Sequence, residues 1–220
     1  MAKRVAVVLS GCGYLDGAEI YESVSTLLAL DLADAKVQCF APDKPQMHVV
    51  HHTNQTPVAG ETRNVLTEAS RLARGQIKPL GEAKMADFDA LIFPGGFGVA
   101  KNLCDYALKG PDCVLDPQVD ALIKAAHGAK KPICAICIAP VLVAKSLGAD
   151  HHPTLTIGSD AGTAGHIEQM GGKHVKVAVT EIVVDEANRV VTTPAYMSAE
   201  RISEVWAGVK KAVDKTLSMA

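Results

Sequence analysis

Short, wholly apolar segments alternate along this chain with longer segments of helical period, and that alternation restricts the fold more than any other feature. Val5–Leu9 is a continuous apolar run, the pattern of a strand covered on both faces. The stretch from Gly17 to about Ala33 has helical spacing, with Ile20, Val24, Leu27 and Leu28 on a stripe expected to face a sheet. Lys36–Phe40, Ala90–Phe93 and Pro132–Ile136 read as further strands. Glu61–Arg74, Asp116–His127, Ala139–Leu147 and Asp160–Met170 read as helices, with Asp116 a predicted N-cap and Gly171-Gly172 a stop signal. Ile182–Asp185 and Arg189–Thr192 flank Glu186-Ala-Asn188 as a hairpin. Ser198 is expected to cap a last helix whose inward stripe is Ile202, Val205, Trp206, Val209 and Val213. No repeat, linker or low-complexity stretch interrupts the pattern, so residues 1–220 read as a single α/β domain. Its sheet is expected to be mostly parallel, with helices on both faces. Ligands in such sheets bind at the carboxyl ends of the strands. That rule selects three loops: Ser10–Asp16, Pro94–Gly98 and Cys137–Pro140.

Composition excludes several classes. The chain has 220 residues, 48% hydrophobic but only 4% aromatic, so aliphatic side chains and alanine must fill the core. A net charge of -2 gives no basic footprint for nucleic acid or an anionic membrane surface. The apolar runs fall far short of the ~20 residues that span a bilayer. Met1–Leu9 superficially resembles a signal peptide, but its apolar part is too short and Gly-Cys-Gly follows it, so it reads as a first strand. Six scattered cysteines (12, 39, 104, 113, 134 and 137) without small-scaffold spacing point to a reduced, cytoplasmic protein.

The chemistry concentrates at Cys137. An apolar run reaches it, and a helix opens almost at once with Pro140, whose missing N–H costs nothing in a first turn. A thiol on such a strand-to-helix elbow sits over the helix N-terminus, where amides and dipole favour negative charge, and a lowered pKa is expected. Taken alone, the segment fits a nucleophile or a buried core cysteine equally well. Pro94-Gly-Gly-Phe-Gly98 lets backbone approach a ligand and aim N–H groups at an oxyanion, with the Ile138 amide as a second donor. Glu22, early in the first helix, is either a carboxyl leaning over the sheet edge toward the thiol or a solvated helix glutamate.

Other patterns are weaker. Cys134-Ala-Ile-Cys137 has redox spacing, but with Cys134 in the strand the two Cα atoms should lie about 10 Å apart, beyond the reach of a disulfide. Gly11-Cys-Gly13 through Gly17 imitates a dinucleotide fingerprint, yet its third glycine is late, and Asp16, Glu19 and Glu22 would crowd a pyrophosphate. His166-Ile-Glu168 imitates the His-x-Glu of glutamine amidotransferases but falls inside a helix and reads as surface. His51-His52 and His151-His152 read as solvated loop histidines, and no metal site is expected.

Together these residues resemble the ThiJ/PfpI superfamily, relatives of class I glutamine amidotransferases. Leu9-Ser-Gly-Cys-Gly13, Asp16-Gly17, Phe40-Ala-Pro-Asp43, Arg63-Asn-Val-Leu66, Phe93-Pro-Gly-Gly-Phe-Gly98, Lys101-Asn-Leu103, Cys137-Ile-Ala-Pro140 and Val191-Thr-Thr-Pro-Ala-Tyr-Met197 are similar to its ElbB branch, the enhancing lycopene biosynthesis or sigma cross-reacting proteins. The resemblance runs from about Val5 to Ala195. It implies a flavodoxin-like three-layer sandwich, a homodimer, and a cofactor-free glyoxalase that converts glyoxal or methylglyoxal to glycolate or lactate. Carried over by motif, Cys137 is the nucleophile and Glu22 its acid/base partner. Gly95, Gly96 and the Ile138 amide form the oxyanion site, and Cys12 and Asn102 line the pocket. PfpI-type proteases carry a His directly after the Cys; here Ile138 stands there, which argues against proteolysis. Two alternatives use the same residues: a non-catalytic cysteine redox sensor, or an orphan amidotransferase-like subunit linked to isoprenoid biosynthesis. The latter would need His52 or His166 brought to Cys137.

Overall fold

The computed structural model describes residues 2–220. Its core is a seven-stranded sheet built from β1 (Arg4–Val8), β2 (Lys36–Ala41), β5 (Ile77–Pro79), β6 (Ala90–Phe93), β7 (Ile133–Ile136), β10 (Val183–Asp185) and β11 (Val190–Thr193). The spatial order is β10-β11-β7-β6-β1-β2-β5. Every pairing is parallel except β10 with β11, which is the hairpin read from Glu186-Ala-Asn188. Two small ribbons lie outside it, β3 (Val50–His51) with β4 (Thr56–Pro57) and β8 (Thr154–Leu155) with β9 (Lys173–His174). The helices are α1 (Ile20–Leu32), α2 (Val65–Leu72), a single turn α3 (Tyr106–Lys109), α4 (Pro117–Gly128), α5 (Pro140–His151), α6 (Ala161–Gln169) and α7 (Ile202–Met219). This is the three-layer α/β architecture with a mostly parallel sheet that the alternation implies.

The central strands are buried along their whole length, apart from the first residue of β1, as a doubly covered parallel sheet requires. Asp116 caps α4 as expected, its Oδ1 accepting from the Gln118 N–H at 3.0 Å.

Several expectations fail: Ile202, read on the inward stripe of the last helix, is 50% exposed, and the helix read over Glu61–Arg74 spans only Val65–Leu72, capped by Asn64. Ser198 does not cap α7; Arg201 is the N-cap, and Ser198 Oγ is buried without a partner. The larger correction concerns α1. The stripe Ile20, Val24, Leu28 does not face the sheet but is 42%, 49% and 45% exposed, while Glu22, Ser23, Ser25 and Thr26 point inward with Ala29 and Leu30. Ser23 and Thr26 satisfy their hydroxyls on the carbonyls one turn back, Glu19 and Glu22. The small polar face thereby packs with those hydroxyls satisfied, so apolar periodicity pointed to the wrong side.

Candidate active site

The three loops selected by the sheet rule converge. The first loop and the glycine loop are stitched by backbone bonds: Glu19 N–H to Gly95 O at 2.9 Å, Phe97 N–H to Tyr14 O at 2.8 Å and Gly98 N–H to Gly17 O at 2.9 Å. Glycine is demanded where they cross. A Cβ on Gly96 (φ 99°) would stand 2.4 Å from the Glu19 nitrogen, and one on Gly95 would stand 2.4 Å from the Cys137 Cβ and 2.6 Å from Glu22 Oε2.

Cys137 occupies the elbow between β7 and α5 with φ 62°, a left-handed conformation that costs a non-glycine residue about 1–3 kcal/mol and persists only where its surroundings hold it. The hold is a hydrogen bond from the Cys137 N–H to Thr193 O at 3.0 Å. Pro140 is the first residue of α5, and no side chain caps the N-terminus of that helix. The amides of Gly96 and Ile138 and the Glu22 carboxyl lie around the sulfur; the two amides favour its ionised form and the carboxyl opposes it.

Glu22 is 0% exposed. Its Oε2 accepts from the Gly95 N–H at 3.0 Å and its Oε1 from the Tyr196 N–H at 3.0 Å. These bonds reassign one residue: the Gly95 amide serves the carboxyl, leaving Gly96 and Ile138 as the donors at the sulfur. Burial, the largest cause, pushes Glu22 up to about 8, with the neighbouring Glu19 adding to it.

The expected lowering of the Cys137 pKa is reversed. Burial, followed by the charge of Glu22, pushes the thiol well above its ordinary range against the pull of the two amides. The helix N-terminus is too small an effect to offset desolvation beside a carboxylate. Thiol and carboxyl therefore titrate as a pair. Loss of one proton yields an anion in which a protonated Glu22 can face a thiolate held by the Gly96 and Ile138 amides. Cys134, by contrast, is sealed in β7 with its thiol pushed up to about 12 by burial, and all six cysteines are free.

Cys137 is 6% exposed and opens onto a cavity of about 560 Å³. Cys12 and Asn102 do not line it, contrary to expectation. Asn102 is instead a buried clamp, donating to Ser10 O and Asp16 O at 2.8 Å each and accepting from the Met47 N–H at 3.0 Å. His166 is the reverse case. Read as surface, it lines the cavity, with its Nδ1 2.7 Å from the Tyr106 hydroxyl. Its His-x-Glu spacing was the available signal, but nothing local could place Tyr106 beside it. His52 is not part of the lining and bonds to Val50 O at 3.0 Å. Among the described residues no cluster could hold a metal ion.

A larger cavity, about 690 Å³, lies at the amino ends of β7 and β11, with Lys124, Lys130 and Arg189 set among Asp150 and Glu186. Its position is opposite to where this class of sheet binds ligands.

Residues 3–201 match the DJ-1/PfpI family. A human protein, "Glutamine amidotransferase-like class 1 domain-containing protein 3, mitochondrial", is 47% identical over 99% of this chain and 84% of its own length. The rat "ES1 protein homolog, mitochondrial" is 46% identical over 98% of this chain and 84% of its own. A crystal structure of an isoprenoid biosynthesis protein with amidotransferase-like domain from Ehrlichia chaffeensis superposes with a TM-score of 0.93 at 36% identity, covering 99% of each chain. Sequence, fold and the Cys137 elbow agree, and the chain belongs to the DJ-1/PfpI family.

Proposed function

We propose that this protein is a cofactor-free glyoxalase of the ElbB branch, converting glyoxal or methylglyoxal to glycolate or lactate. The observation that carries the reading is the Cys137–Glu22 pair: a thiol that opens onto a cavity, backed by a fully buried carboxyl of raised pKa. The Cys137 thiolate adds to the aldehyde carbon, and the oxygen takes up a proton to give a hemithioacetal. The Gly96 and Ile138 amides are the donors for the developing oxyanion. Glu22, as carboxylate, removes the proton on that carbon to form an enediol. Reprotonation at the adjacent carbon leaves a thioester of the hydroxy acid. Water hydrolyses the thioester, releasing the acid and restoring the thiol. Reactant plus water equals product, so neither metal nor redox cofactor is required.

The test is turnover by purified protein. Cys137→Ala should lower glyoxal consumption at least 100-fold, and unchanged consumption would overturn the assignment. The redox-sensor alternative keeps one specific support: a protonated Glu22 could hydrogen-bond a Cys137 sulfinate. It predicts stoichiometric oxidation of Cys137 by peroxide in protein without turnover. An amidotransferase-like role keeps one support, His166 in the wall of the same cavity, but its Nδ1 is engaged with the Tyr106 hydroxyl and not with Cys137.

We further propose a homodimer through the exposed stripe of α1, whose uncharged Ile20, Val24, Leu28 and Leu32 can meet the same stripe on a second copy. Six free thiols support a reducing compartment. No described helix is long and apolar enough to cross a membrane. The cytosol is the placement we propose, and the mitochondrial names of the relatives make the mitochondrion the alternative.

A further inference from the structure

The cavity over Cys137 is far larger than glyoxal or methylglyoxal requires. Its volume of about 560 Å³ lies in the range of sites that enclose whole organic ligands, ~300–1,000 Å³. Its walls are largely apolar and include Phe97, Leu108, Ile138 and Met197. At its rim Phe97 and Leu108 remain 52% and 67% exposed. Apolar side chains grouped at the rim of a cavity that holds a reactive thiol fit a ligand groove, one of the uses of such patches. Lys101 lies over the Phe97 ring, its ammonium 5.5 Å from the centroid and donating to Leu15 O at 2.7 Å.

The charge is as one-sided as the polarity. The lining contains no lysine or arginine. It does contain Asp160, which carries the negative charge, exposed and held below the ordinary carboxylate range by hydrogen bonds from Thr163, and Glu19, whose carboxyl burial pushes up. Lys101, the cation beside Phe97, is turned to a carbonyl and is not part of the lining. An anionic substrate would enter past Asp160 and meet no lysine or arginine, the one histidine of the lining, His166, being hydrogen-bonded to Tyr106 beside Asp160, whereas an uncharged one would meet aromatic and aliphatic surface.

We propose that the site selects uncharged carbonyl compounds bearing an aryl or branched alkyl substituent. Phe97 and Leu108 are its specificity-determining side chains, and Asp160 turns anionic analogues away. The proposal rests on the reading that Cys137 attacks a carbonyl carbon, but its test does not depend on turnover. Cys137 is alkylated with iodoacetamide, N-benzyl iodoacetamide or iodoacetate, and the modified Cys137 peptide is quantified by mass spectrometry. Each rate is divided by the rate of the same reagent with 2-mercaptoethanol. The benzyl reagent should exceed iodoacetamide by about tenfold, the factor one buried ring can supply. Iodoacetate should fall below iodoacetamide by a factor that shrinks with salt.

Phe97→Ser and Leu108→Ser should each erase most of the benzyl preference. Both residues are exposed, so folding is little disturbed, and the wild-type ratios stand on their own. Asp160→Asn keeps a capping side chain on α6 and should raise the iodoacetate rate several-fold. Equal normalised rates for the three reagents would overturn the proposal, as would a benzyl preference indifferent to Phe97 and Leu108. Selective alkylation in a protein that turns over neither glyoxal nor phenylglyoxal would uphold this selectivity and sink the glyoxalase reading. Turnover of glyoxal and phenylglyoxal at equal kcat/KM, with unselective alkylation, would do the opposite.

Discussion

Replacing Glu22 by glutamine should stabilise the protein at alkaline pH, although the substitution falls at the centre of the site. The carboxyl has an ordinary value of 4.5 and is raised to about 8 in the fold, chiefly by burial. Because the folded value lies above the unfolded one, the native state binds the proton more tightly. The associated stability is full below pH 4.5 and is lost as pH climbs to about 8. At about 1.36 kcal/mol for each pH unit, the whole interval amounts to about 5 kcal/mol. About 4 kcal/mol of that falls between pH 5 and pH 9. A glutamine side chain at this position cannot ionise, so the variant escapes this loss. It carries a constant cost of about 1–3 kcal/mol, because the new NH₂ must face either the Gly95 or the Tyr196 N–H that now donates to an oxygen. Urea unfolding under reducing conditions should therefore find the variant equal to or weaker than wild type at pH 5. At pH 9 it should be the more stable by about 2–4 kcal/mol. A wild-type-minus-variant difference that moves by less than about 1 kcal/mol over that range, or grows with pH, would show that Glu22 is not a carboxyl of raised pKa.

The same pair sets the pH dependence of catalysis: kcat/KM for glyoxal should rise with pH along a single limb centred near 8, and a limb centred near 4.5 would contradict the coupling. Gly95→Ala puts a methyl 2.4 Å from the Cys137 Cβ and 2.6 Å from Glu22 Oε2. It should cost about 1–3 kcal/mol in denaturant unfolding and abolish turnover, since sulfur and carboxyl must separate to admit it. Leu28→Asp introduces a charge into the exposed stripe of α1 and should yield monomers in analytical ultracentrifugation, with unfolding free energy changed by less than about 0.5 kcal/mol per protomer once dissociated.

What could be read before folding was what depends on neighbours in the chain. The apolar runs of β1, β6 and β7, the hairpin of β10 and β11, the Asp116 cap and the Cys137 elbow with Pro140 behind it all rest on contacts within a few residues. Chain order then brought Cys137 and the glycine loop together, because parallel strands deliver their following loops to one edge. The rest was decided in three dimensions. Whether Glu22 is solvated or buried depends on amides 73 and 174 residues away, from Gly95 and Tyr196. No periodicity encodes them, and the apolar stripe of α1 pointed to the opposite face. The acidity of Cys137 turned on desolvation and a neighbouring charge, both properties of packing, which outweighed the local helix N-terminus. The cavity is likewise a tertiary object. His166 and Tyr106 lie 60 residues apart and meet only when α6 folds against the turn after β6. Local sequence supplied the reactive atom; the long-range contacts supplied its protonation state and the walls around it.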